Sequence, residues 1–324
     1  MKLAKQITAI MLLAAIFAAF DIAVYFTFTK KYIRNTSPEM QAKSIELNKY
    51  LPFEENSGIV KLISELRLSG DLPVIDGAAA LFPVFSAFVN SVYPEDSVFF
   101  DGENFTDKSA LHYTNTRGAY AAIVDGTADV IFCAAPSKEQ LEYAEKNGVE
   151  LELVPIGREA FVFIVNKNNP VNDLTVEQVR GIYSGKYKRW SEVGGNNKYI
   201  DPIQRNEGSG SQTRMLSFME GTPIKRSPTA LFGSAIGFSF RYYVEGIVEN
   251  SDVKMISLNG VYPSPENVAD ESYPLVNSFY AVYRMGVENK IIPVLIDWIL
   301  SDEGQRIVKE SGYAPLKAGF TSIE

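Results

Sequence analysis

The chain has one cysteine, Cys133, and one histidine, His112, among its 324 residues. A single thiol cannot form an internal disulfide, and it leaves a thiolate metal site without a second sulfur. One imidazole likewise rules out a cluster of imidazole ligands, so no metal and no cofactor is expected. A Ser-His-Asp arrangement would have to use His112, with Ser209 or Ser211 as nucleophile, and a lone histidine is more often structural or exposed. The sequence therefore does not read as an enzyme. Basic charge is scarce as well: 31 Lys and Arg stand against 39 Asp and Glu, a net charge of -8. General nucleic-acid binding, which needs a broad basic surface to displace phosphate counterions, is excluded. A local anion site is compatible with that balance. There is no internal repeat and no low-complexity tract. "EGSGSQT" (207–213) lacks the Lys-Ser/Thr pair with which a nucleotide loop reaches phosphates and Mg²⁺.

One long apolar run is present, "ITAIMLLAAIFAAFDIAVYFTF", from Ile7 to Phe28. It has about the length that crosses a bilayer and exceeds the usual apolar region of a cleaved signal peptide. Lys2 and Lys5 precede it, and Lys30, Lys31 and Arg34 follow. The expectation is an uncleaved single-pass anchor at the cell membrane, with the body outside the cytoplasm. Asp21 is then a costly residue that sits protonated or near an interface. No cysteine follows the run, so a lipoprotein anchor is not expected. Residues 1–35 are assigned to the anchor. Residues 36–70, mixed and polar with helical patches such as "GIVKLISELRLSG", read as a stalk and lead-in.

From Leu72 the pattern changes to short apolar strands alternating with helical segments, the signature of an α/β fold with mainly parallel strands. "LPVIDG" is a strand ending in a turn, "ALFPVFSAFVNSVY" an amphipathic helix, "SVFFDG" a second strand, "TRGAYAAIVDG" a helix and "ADVIFCAA" a buried strand. "VELELVPIG" and "AFVFIVNK" read as two further strands, and "TVEQVRGIYSG" as a helix capped by Thr175. "YPLVNSFYAVYR" is extended, and "IIPVLIDWILSDEGQRIVKESG" is an amphipathic helix. Two blocks joined by extended crossings suggest two lobes around a cleft, where ligands usually bind.

Several of these stretches, taken in order, resemble the phosphate-binding, periplasmic-type substrate-binding proteins, the capture components of phosphate ABC transporters. They are "DGAAALFPVFSAFV", "GTADV", "PIGREAFVFIVNKNNPVNDLTVEQVRGIYSGKYKRWSEVGG", "RNEGSGSQTR", "AIGF", "NGVYPSPENVADESYPLVNSFYAVYR" and "DEGQRIVKESGYAPL". The similarity covers roughly residues 72 to 317. It implies a two-lobed, type II periplasmic-binding-protein fold hinged by two crossing strands. Lobe one would combine 71–160 with 284–324, and lobe two would be 161–283 with the crossings. The implied partners are inorganic phosphate or a related oxyanion, an ABC permease, and the membrane through the N-terminal helix. A sensing or scaffold module that binds sulfate or an organic anion and signals to a membrane partner is the alternative.

A buried oxyanion needs donors for all its oxygens, and three stretches offer them. Ala79, Ala80 and Leu81 open a helix and present backbone amides. Thr114, Asn115 and Thr116 precede another helix, and Thr116 matches the family position whose hydroxyl and amide meet the anion; Arg117 is an auxiliary cation. Arg205 matches the family's anion-binding arginine, whose planar fork donates two hydrogen bonds. Behind it, Ser209, Gly210, Ser211 and Gln212 supply donors at a helix start, with Glu207 as an auxiliary residue that orients Arg205 or is exposed. Where phosphate binders of this family carry a proton-accepting aspartate, this chain has Ala134. Phosphate is the ligand implied, with sulfate or an organic anion as alternatives. Cys133 reads as a small core residue.

Overall fold

The structure is a computed structural model that describes residue 11 and residues 16–23, 45–225 and 234–316. Its contacts divide the chain into Met1–Glu39 and Met40–Glu324. In the first unit Met11 and residues 16–23 are helical. The rest of the Ile7–Phe28 run, on which the anchor reading rests, lies outside the described residues. Among the described residues no helix is long and apolar enough to cross a membrane.

The second unit is a mixed α/β fold built on a seven-stranded sheet. Strand β1 (Ile75–Gly77) leads through a turn at Ala79–Leu81 into helix α1 (Phe82–Val92). Helix α2 (Asn115–Asp125) is followed by β2 (Val130–Ala134) and α3 (Lys138–Lys146). Strand β3 (Leu151–Asn166) then runs for sixteen residues. It pairs antiparallel with β9 (Val276–Arg284) through residues 151–160, and antiparallel with β6 (Ser234–Phe240) through residues 161–165. Where sequence reading expects two strands, at 149–157 and 160–167, there is one. Its residues 156 to 163 are all buried, so the pairing changes partners without an exposed break.

Beyond β3 lie β4 (Asp173–Leu174), α4 (Val176–Tyr183), β5 (Ile200–Pro202), α5 (Gly210–Phe218), β7 (Val253–Met255), β8 (Ser257–Leu258) and α6 (Pro265–Ala269). The chain closes with α7 (Ile291–Leu300) and α8 (Asp302–Glu310). The expectation of mainly parallel strands is corrected: β1–β2, β5–β6 and β4–β8 are parallel, whereas β2–β9, β9–β3, β3–β6 and β3–β7 are antiparallel. The reason is the two long strands, β3 and β9, which cross the sheet in opposite directions between helical layers.

Apolar side chains gather in two main groups. Helices α1, α7 and α8 supply the first, which packs against Val130 and Phe132 of β2, while Ile131 and Cys133 face a smaller group formed by α2 and α3. This is the two-residue alternation of a strand covered on both faces. Cys133 is fully buried, as expected, and burial pushes its thiol up. The other main group draws on residues 160–275 and Ala314, around Phe161, Phe163, Tyr183, Trp190 and Phe238. Thr175 caps α4 with a hydroxyl that accepts from the Gln178 amide at 3.0 Å, and the Gln178 side chain returns to the Thr175 amide at 2.8 Å.

Other local expectations are corrected. "SVFFDG" holds only a bridge between Phe100 and Phe105. Residues 58–70 form no helix; instead Ile59 and Leu68 anchor that stretch in the first core, beside Ile45. The final amphipathic run is two helices, because Ser301 is extended (φ −69°, ψ 170°). A Cβ on Gly304 would stand 2.3 Å from the Ile299 carbonyl, so glycine lets the second helix fold tightly against the end of the first.

Candidate functional site

A cavity of 280 Å³ opens where the starts of α2 and α5 meet the β1–α1 turn and the crossing strands β3 and β9. Eleven of the thirteen residues expected from sequence line it: Ala79, Ala80, Leu81, Asn115, Thr116, Arg117, Arg205, Glu207, Ser209, Gly210 and Ser211. The exceptions are Thr114 and Gln212; His112 does not line it either.

Helix α5 begins at the cavity because Ser209 caps it, its hydroxyl accepting from the Gln212 amide at 3.2 Å. Gly208 takes φ +76°, a region open to glycine without strain, and this turns the chain into the helix. Gln212 is buried and acts from behind: its carbonyl oxygen accepts from the Arg205 amide at 2.9 Å, and its nitrogen donates to Gln204 Oε1 at 3.2 Å. The expectation that Gln212 faces an anion is thus corrected to a bracket that fixes Arg205 against α5.

Helix α2 meets α5 closely. A Cβ placed on Gly210 would lie 3.5 Å from Thr116 Oγ1, 3.5 Å from the Ala134 methyl and 3.7 Å from the Phe240 ring, and one on Gly208 would lie 3.5 Å from Arg117 Cδ. Two helix starts therefore aim unpaired amides and positive dipole ends at one space. Thr114 is turned away from it: its hydroxyl donates to Asp76 Oδ2 at 2.5 Å and its amide to Oδ1 at 2.8 Å. Asp76 is buried, and burial pushes its carboxyl up against the opposing hydrogen bonds from Thr114 and Gly77. Thr114 thereby ties the start of α2 to the end of β1. At the third stretch, the Leu81 amide donates to the Ala78 carbonyl at 2.9 Å, which leaves Ala79 and Ala80 as the amides at the open start of that turn.

Arg205 is half-buried, and burial lowers its pKa; its side chain hydrogen-bonds Tyr243 and stands 5.9 Å from that ring's centroid. Among the described residues no carboxylate pairs with it. Glu207 is exposed, lines the cavity and makes no ion pair with Arg205. Arg117 is exposed at the rim.

The cavity floor holds a group that sequence reading passed over. Glu159, one of two adjacent charges between the strands expected at 149–157 and 160–167, lies inside β3 and is 4 % exposed. Its carboxylate accepts from the Ala160 amide at 2.8 Å and the Tyr242 amide at 3.2 Å, and pairs with Arg241 Nε at 3.3 Å. Burial outweighs these partners and pushes its carboxyl up to about 7. Phe240, Tyr243 and Phe279 add aromatic surface, and Asn206, Ser239, Asn277 and Ser278 line the cavity beside them. Two adjacent charges in an otherwise apolar strand run were the available signal for Glu159. Nothing local marked the three aromatic residues.

A family model, the PBP superfamily domain, matches residues 74–303. The chain is 26% identical over 266 residues to a phosphate-binding protein PstS of Bacillus subtilis, covering 78% of this chain and 83% of that protein. It is 24% identical over 245 residues to a phosphate-binding protein PstS of Borreliella burgdorferi, covering 65% and 85%. Among solved structures, a putative phosphate ABC transporter substrate-binding protein from Clostridium perfringens, with bound phosphate, aligns with a TM-score of 0.55 at 25% identity, over 75% of this chain and 98% of that one. An ABC-type phosphate transport receptor from Vibrio cholerae shares the fold, with a TM-score of 0.53 at 19% identity, over 75% and 99%. The resemblance drawn from the motifs is borne out: the chain belongs to the PBP superfamily.

Proposed function

We propose that this chain is an extracytoplasmic solute-binding protein that captures inorganic phosphate in the cleft and hands it to an ABC permease. The observation that carries the reading is Arg205, a partly desolvated guanidinium with no carboxylate partner among the described residues, beside the starts of two helices that open on the same cavity. Fixed donors and dipoles of that kind suit a small multiply charged oxyanion. The names of its relatives and the bound phosphate of the Clostridium perfringens protein support the choice of anion. The two main cores would belong to two lobes, 71–160 with 284–324 and 161–283, closing on the ligand about β3 and β9. The run Ile7–Phe28 would tether the protein to the membrane, with the cleft outside the cytoplasm.

Titration calorimetry of the full chain in detergent, with phosphate, sulfate and arsenate across pH, tests this. Phosphate is expected to bind, and Arg205→Ala to abolish binding by removing a charge-assisted pair worth about 1.5–3 kcal/mol or more. If the native protein binds none of the three anions, the reading is wrong.

A further inference from the structure

The donors of the cleft are crowded by apolar surface. Beside the start of α5 stand the Ala134 methyl and the Phe240 ring, at 3.5 and 3.7 Å from the Cβ position of Gly210, and the Tyr243 ring lies next to the Arg205 guanidinium. The β1–α1 turn that also lines the cleft carries only the side chains of Ala79, Ala80 and Leu81, so it offers no side-chain donor. At the floor, Glu159 is an acceptor whose partners are Arg241 and two amides. Ser239, Asn277 and Ser278 also line the cleft, but an inorganic oxyanion has four oxygens, each of which loses hydration unless a donor meets it, and one turned toward the Ala134 methyl and the neighbouring rings would meet apolar surface. A carbon substituent would bury favourably in the same place. The space agrees: 280 Å³ is close to the lower end of the roughly 300–1,000 Å³ of pockets that take small organic ligands, and far above the roughly 10–15 Å³ that one water needs.

We propose that the cleft binds a phosphoryl group carrying a small carbon substituent, a phosphomonoester or phosphonate. Its three free oxygens lie on Arg205 and the starts of α2 and α5, and its substituent lies on the surface made by Ala134, Phe240, Tyr243 and Phe279. This rests on the reading that the Arg205 motif holds a phosphoryl group.

Titration calorimetry of the full chain in detergent with inorganic phosphate and with phenylphosphonate separates the two claims. Phenylphosphonate is expected to bind at least as tightly as inorganic phosphate. Ala134→Leu, which fills the substituent's place, is expected to shift the ratio of the two dissociation constants at least tenfold toward phosphate. If phosphate binds and phenylphosphonate binds more weakly, or an Ala134→Leu protein leaves the ratio unmoved, the substituent site is overturned while phosphate capture stands. If neither ligand binds, both fall together. The native titration decides even where the variant does not fold.

Discussion

Two arginines stand close to the cleft, and their surroundings differ in a way that assigns each a task. Arg241, 4 % exposed, has its charge met within the protein: it forms ion pairs with Glu159 at 3.3 Å and Glu245 at 2.7 Å, and donates to the Gly312 carbonyl. Arg205 has lost part of its hydration, yet among the described residues only the Tyr243 side chain answers its guanidinium. A buried cation whose charge is met by the protein holds the fold together. One whose charge is left over is available to a ligand. Arg241 also joins elements far apart in the chain, from the end of β6 to β3 and to the residues after α8, which is where a fixed strut beneath a cleft is needed.

The strongest test of this contrast is to remove the charge-paired cation. Arg241→Met leaves Glu159 buried without a counter-charge, and breaking a buried pair from one side costs about 3–5 kcal/mol. In a chain of this size that lowers Tm by on the order of 10 °C, read by thermal unfolding. The double variant Arg241→Met with Glu159→Gln is expected to recover more than half of the loss, because no charge is then stranded. If Arg241→Met melts with the native protein, the strut has no structural weight.

A second test uses pH. The folded pKa of Glu159, about 7, lies above its ordinary 4.5 because burial disfavours the charged form. The folded state therefore keeps this proton to a higher pH than the unfolded chain does. Its contribution to stability is full below about pH 4.5, declines as pH rises towards 7, and is level above that, a change on the order of 3 kcal/mol. Denaturant unfolding from pH 4.5 to 7.5 is expected to show a steeper loss with rising pH in the native protein than in Glu159→Gln. Parallel curves would mean that Arg241 and the two amides hold the carboxylate ionised throughout.

At the other arginine the expected effect falls on binding. Arg205→Lys keeps the charge and loses the planar fork, so phosphate affinity is expected to fall about tenfold, or about 1.4 kcal/mol. Tm should stay within about 2 °C of the native value, since no carboxylate among the described residues is stranded. A drop in Tm with affinity preserved would exchange the tasks of the two arginines.

The contrast also explains what sequence alone could reveal. "RNEGSGSQTR" marked Arg205 and the start of α5 because cap, glycines and cation are contiguous, and local chemistry sets a helix start. "NTR" marked the start of α2 for the same reason. The Arg241–Glu159 pair was not legible, because its members are 82 residues apart and meet only through the pairing of β3 with β6. The same limit applies to Thr114, a good cap by type, whose hydroxyl goes instead to Asp76, 38 residues earlier. The alternation of strands and helices indicated an α/β fold. It could not indicate that β3 and β9 cross antiparallel, because the alternation of side chains along a strand reads the same in either direction. Nor could it separate the last two helices, whose break depends on the packing of Gly304 against Ile299.

The smallest expected effect concerns how an anion is shared between the two helices. Thr116 is 9 % exposed, and its hydroxyl lies 3.5 Å from the Cβ position of Gly210, so it faces the same space as the first amides of α5. Thr116→Val keeps the branched shape and the backbone amide and removes only the hydroxyl. A neutral hydrogen bond is worth about 0.5–1.5 kcal/mol, so phosphate affinity should weaken about two- to tenfold, with Thr116→Ser restoring most of it. Tm should barely move, because valine and threonine have similar helix propensities. If Thr116→Val binds phosphate as the native protein does, the Thr116 hydroxyl is not one of the donors that meet the anion, and what helix α2 contributes comes from its amides and from Asn115 and Arg117.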